Sequence, residues 1–67
     1  MKTAKRQAEV GEKIVIVKKL YAFEPHKVGD IFTVQWREDF ELIHTEEGGV
    51  IIFDEEYEVI LEDENEQ

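Results

Sequence analysis

The sequence predicts an all-β fold in which five short strands close into a small barrel. Runs of β-branched and aromatic residues recur along it, as in Ile14-Val15-Ile16-Val17 and Ile31-Phe32-Thr33-Val34-Gln35-Trp36. Turn-forming residues separate these runs: Gly11, Pro25, Gly29 and the Gly48-Gly49 pair. No apolar repeat at 3.6-residue spacing is long enough for a stable helix. Short strands with tight turns close on themselves, because an open sheet exposes its edges and half of its apolar surface.

The first strand covers residues 13–19, where four consecutive apolar residues imply either cover on both faces or a place at a barrel corner. A loop over residues 20–30 follows, and Pro25 forbids a helix through it. Residues 31–36 alternate, which places Phe32, Val34 and Trp36 on one face of the second strand. A polar turn leads to the third strand, residues 40–45. Glu46-Glu47-Gly48-Gly49 makes a hairpin into the fourth strand, residues 50–53. Asp54-Glu55-Glu56 is too short and acidic for anything but a turn or one 3₁₀ step, and residues 57–61 form the fifth strand. The organisation expected is a flexible N-terminal tail over 1–11, a barrel over 12–61 and an acidic C-terminal tail over 62–67. Phe32, Phe40, Phe53 and Tyr57 are the expected bulky core.

Charge is segregated along the chain. The net charge is -9, yet residues 1–37 hold all 8 basic residues and only 4 acidic ones, whereas residues 38–67 hold 13 acidic residues and no Lys or Arg. Such a balance disfavours non-specific attraction to nucleic-acid phosphates and suits either solubility or docking on a basic partner. Lys13, Lys18 and Lys19 are expected to face Glu58 and Glu62 across neighbouring strands. The chain has no Cys, which excludes disulfides and thiolate metal sites. With no secretory signal and no spanning apolar run, the expectation is a cytoplasmic monomer without membrane contact.

The order of elements resembles the SH3 fold: strand, long loop, strand, short loop, strand, tight hairpin, strand, 3₁₀ turn, last strand. Gly29-Asp30-Ile31-Phe32-Thr33-Val34 is similar to the Gly-Asp-apolar signature that opens the second SH3 strand. The stretch 49–59, ending in Tyr57-Glu58-Val59, is similar to the passage from the distal hairpin through the 3₁₀ turn. Leu20-Tyr21-Ala22-Phe23 echoes the aromatic motif before the long loop. The resemblance implies a five-stranded SH3-like barrel with a 3₁₀ turn before the last strand and short charged tails, similar in style to small bacterial and phage proteins. It departs from the proline-peptide binders in two places. Trp36 ends the second strand instead of opening the third, and Pro25 lies in the first loop. Recognition of proline-rich peptides is therefore not carried over.

No constellation signals catalysis. Ser and Cys are absent, the threonines lack a glycine-rich elbow, and His26 and His44 do not stand at a ligand spacing from each other. No catalytic, cofactor-binding or metal residue is therefore expected. The expected function is a non-enzymatic interaction module, an accessory or regulatory protein that binds a basic protein surface through Tyr21, Phe23, Trp36, Glu46, Glu47, Asp54, Glu55 and Glu56. Two alternatives stand beside it. One is nucleic-acid binding through Lys18, Lys19, Lys27 and Arg37, and the other is a structural part in a larger assembly.

Overall fold

The computed structural model describes residues 1–38 and 40–61. It is all-β: six antiparallel strands form one sheet, with a single 3₁₀ turn and no α-helix among the described residues. The strands are β1 (Thr3–Ala4), β2 (Lys13–Ile16), β3 (Ile31–Arg37), β4 (Leu42–Thr45), β5 (Ile51–Phe53) and β6 (Tyr57–Ile60), and the 3₁₀ turn is Asp54–Glu56. No helix among these residues is long and apolar enough to cross a membrane.

The order in the sheet is β1-β6-β2-β3-β4-β5. The first half of β3 pairs with β2, in the register Ile14↔Phe32, and its second half pairs with β4, in the register Val34↔Thr45. The long third strand thus belongs to both halves of the sheet, and the apolar faces of the two halves meet. Ile14, Ile16, Tyr57 and Val59 from one half share a single buried cluster with Ile43 and Ile52 from the other. Burying this apolar surface is the main favourable term for so small a chain.

Several expectations are corrected here. First, the sheet is open, because β1 and β5 are its two edges and no backbone pairing joins them. Side-chain packing brings the halves together in place of a closed ladder, and both edge strands are very short, which limits the unpaired backbone they present. Second, the N-terminal tail is part of the fold. Thr3 and Ala4 pair with Ile60 and Val59, and Ala8 lies in the core. Two residues of strand carry no periodicity, so the sequence held no signal for them. The acidic tail expected over 62–67 lies outside the described residues.

Third, Trp36 does not share the buried face of Val34. The register advances two residues on β3, from Val34 to Trp36, against one on β4, from Thr45 to His44. This β-bulge at Gln35 resets the alternation. Val34 is fully buried, while Trp36 stays exposed and stacks on His44 with ring centroids 4.0 Å apart. Of the expected aromatic core, Tyr57 is fully buried and Phe32 packs against the cluster. Phe53 is half-buried, and Phe40 is 82% exposed because the strand begins at Leu42, two residues later than expected. The first strand likewise stops at Ile16, and Val17 is exposed, so this strand is not covered on both faces.

Candidate functional site

The loop over residues 20–30 carries the aromatics. Tyr21 and Phe23 stack with centroids 5.5 Å apart, and Tyr21 also meets Phe53 at 5.9 Å. Phe23 is nonetheless 83% exposed. Two concavities of about 460 and 640 Å³ share Tyr21 and Phe53 as a common wall. The first extends toward Gln7, Phe40, Glu41 and Glu55, and the second runs between Phe23, Pro25 and the β4–β5 hairpin at Val50 and Ile51. Together they form an aromatic groove with exposed carboxylates at one end, the combination in which an apolar floor supplies affinity and a charged rim supplies selection.

Behind one end of the groove lies a polar network. Arg37 donates to both carboxylate oxygens of Asp54, at 2.9 and 3.0 Å, and to the Ala8 carbonyl at 3.1 Å. The Tyr57 hydroxyl donates to Asp54 and accepts the Ala8 amide at 2.9 Å. Lys5 Nζ donates to the carbonyls of Asp54, Glu55 and Tyr57. The N-terminal segment is held against the 3₁₀ turn in this way, and Gln7 becomes part of the groove wall.

Burial raises the Asp54 pKa, but the hydrogen bonds from Arg37 and Tyr57 outweigh it and leave the carboxyl below its ordinary 3.8. A depressed folded-state value contributes stability above the unfolded value and loses it as pH falls through the folded one. The stability gap between the wild type and Asp54→Asn is therefore expected to be full at pH 6–7 and to shrink once pH drops below about 4. Urea unfolding across that window checks it, and a gap constant down to pH 2 would contradict it.

A second cluster lies beneath the same loop. Glu56 is fully buried at the end of the 3₁₀ turn. Its carboxylate accepts the amides of Leu20 at 2.9 Å and Phe53 at 3.0 Å, and it stands 3.2 Å from His26 Nε2. Glu24 Oε1 lies 3.4 Å from the same nitrogen. Burial and the adjoining Glu56 push the Glu24 carboxyl above the usual range. Burial also opposes charge on Glu56, yet hydrogen bonds from Glu24, from the Leu20 and Phe53 amides and from His26 hold its pKa low. His26 Nδ1 is buried and has no hydrogen-bond partner. Glu24, His26 and Glu56 are the group of ligating type found within the described residues.

The expected partner-binding residues thus separate. Tyr21, Phe23, Asp54 and Glu55 line the groove, although Asp54 is committed to Arg37. Trp36 lies on the β3–β4 surface with His44, away from the groove lining. Glu46 is exposed on the hairpin, and Glu47 is held by the Thr33 amide and hydroxyl, which lower its pKa. Glu56 is corrected from an exposed acidic contact to an interior anchor, because the 3₁₀ turn directs its side chain under the loop.

The expected pairing of lysines with Glu58 is also corrected. Strands β2 and β6 are neighbours, but Lys13 Nζ donates to Thr33, Lys19 Nζ to the Glu24 carbonyl, and Glu58 accepts from Thr3. Glu62 lies outside the described residues. Sequence reasoning missed Gln7, Phe40 and Glu41 in the groove and the Glu24–His26–Glu56 cluster. The one legible signal was Glu24-Pro25-His26, two ligand-type residues flanking a proline in an otherwise aromatic loop. No family model, curated protein or solved structure matches the chain.

Proposed function

We propose that the chain is a non-enzymatic SH3-like interaction module, which receives an extended, basic and apolar segment of a partner protein in the groove beside Tyr21 and Phe53. The observation that carries this reading is the groove itself: exposed aromatic rings in a concave surface, next to Glu41 and Glu55, on a chain of net charge -9. Apolar area of this kind, gathered between a loop and a strand edge, is typical of partner sites. Strand order supports the SH3-like part. Setting β1 aside, the last strand lies beside the first, followed by the second, third and fourth, and a 3₁₀ turn precedes the last strand.

Several basic residues that a nucleic-acid site would draw on are occupied within the chain. Arg37 is paired with Asp54, Arg6 with Glu12, and Lys19 with a carbonyl. The partner chemistry is therefore taken to be a polypeptide.

Fluorescence anisotropy with a labelled peptide of alternating Lys or Arg and apolar residues tests the reading. Binding is expected to weaken as salt rises, and to fall at least about tenfold in Tyr21→Ala or Phe23→Ala while the melting temperature changes little. Charge reversal at Glu41 and Glu55 should weaken it further. Amide shifts confined to the Trp36 face, or equal binding by the aromatic variants, would defeat the proposal; a preference for single-stranded oligonucleotide over the peptide would replace it.

A further inference from the structure

We propose that Glu24, His26 and Glu56 form a binding site for one divalent transition-metal cation of the zinc type, held by two carboxylate oxygens and His26 Nε2. The ligand atoms of these three side chains lie within 4.8 Å of one another. Acidic clusters are commonplace on the surface of so acidic a chain, but this one is interior. Glu56 is fully buried, His26 is 2% exposed and Glu24 is 9% exposed.

The charge arrangement also has room for a cation. Two carboxylates stand together at low dielectric, and His26 is the ion-pair partner found for both among the described residues. Lys19 comes close but donates to the Glu24 backbone carbonyl at 2.7 Å, not to the carboxylate. Like charges in such a place call for either a shared proton, as in the hydrogen bond from Glu24 to Glu56, or a bound cation that takes its place.

Geometry gives an independent argument. The separations from His26 Nε2, 3.2 Å to Glu56 and 3.4 Å to Glu24, exceed the length of good charge-assisted hydrogen bonds, about 2.7–2.9 Å. They match the edge of a tetrahedron, about 3.3 Å, whose ligands each stand about 2.0–2.1 Å from a central zinc. One imidazole with two carboxylates suits zinc and its first-row neighbours better than calcium, which takes six to eight oxygens. Glu24, nearest the surface, marks the side from which a water completes the coordination.

Coordination through Nε2 places the ring hydrogen on Nδ1, which is buried without a partner. Metal-bound histidines usually donate that hydrogen to an acceptor, so the affinity is expected to be lower than that of fully supported sites. The same atom supplies a diagnostic. Zinc on Nε2 excludes a hydrogen from that atom, so the metal-bound ring carries its hydrogen on Nδ1.

The test uses the whole chain, stripped with EDTA and titrated with zinc chloride. Calorimetry should give one site per chain, and the melting temperature should rise and then saturate with zinc. Nitrogen-15 spectra of the histidine rings should show His26 with a metal-bound Nε2 and its hydrogen on Nδ1 once zinc is added, while His44 is unaffected. Glu24→Gln and His26→Gln should each weaken binding at least about tenfold, and His44→Gln should not. Failure to saturate, a zinc response in the Glu24 and His26 variants equal to the wild type's, or a His26 ring spectrum unchanged by zinc would each overturn the site. Should His26→Gln fail to fold, Glu24→Gln and the wild-type ring spectrum still decide. Peptide binding in the groove is measured separately, so either proposal can fail alone.

Discussion

Glu56→Ala is expected to lose about 3–5 kcal/mol of stability, the range for removing one member of a buried charged network. For a domain of this size that is a large share of the total. The loss has three parts. The Leu20 and Phe53 amides lose their acceptors, His26 loses its nearer carboxylate, and a void replaces the side chain at the foot of the aromatic loop. Both amides are part-buried, and each left unpaired costs up to about 1–3 kcal/mol.

Glu56→Gln should lose less, yet still more than 1 kcal/mol. Its two terminal atoms cannot both accept, so one of the two amides meets an NH₂ group. Urea unfolding measures both variants. Amide hydrogen exchange should show Leu20 and Phe53 losing protection before the β2–β3 ladder does. If Glu56→Ala proved as stable as the wild type, the carboxylate would not be holding the loop.

Tyr57→Phe is expected to cost about 2–4 kcal/mol, from one charge-assisted bond and one orphaned buried amide. The change keeps the ring, so apolar packing in the core is preserved. The hydroxyl alone is lost, and with it the acceptor for the Ala8 amide and the donor to Asp54. The first bond ties Ala8 to the start of β6 and the second braces the 3₁₀ turn against that strand, so the variant should loosen the N-terminal segment, β1 included, first. Faster exchange at Ala8 and at the β1–β6 pairing, with the β2–β3 ladder still protected, is the expected pattern. A loss below about 0.5 kcal/mol would mean that water replaces the hydroxyl, and that the N-terminal segment is held by Lys5 and Arg37 instead.

Both predictions concern residues whose importance is invisible along the chain. Glu56 stands in an acidic run that reads as a solvated turn, and Ala8 in a stretch without periodicity. Each owes its role to partners 30 to 49 residues away, His26 and Tyr57. The groove divides in the same way. Tyr21, Phe23 and Glu55 stood out by residue type, whereas Gln7 and Phe40 joined them only when the N-terminal segment and the β3–β4 turn came to lie beside the 3₁₀ turn.

By itself the sequence determined the class of structure, all-β, with five of the six strands, the Gly48-Gly49 hairpin and the 3₁₀ turn at Asp54–Glu56. These are local matters: β-branched runs favour extended backbone, and both hairpin glycines adopt the positive φ that other residues avoid. The tertiary structure alone decided which side chains face inward after the bulge at Gln35, that Thr3–Ala4 joins the sheet, and that the sheet stays open at its edges. It also decided that Glu24, His26 and Glu56 meet. Register and long-range polar pairing depend on how two distant segments fit together, and the hydrophobic pattern of either one carries no record of the other.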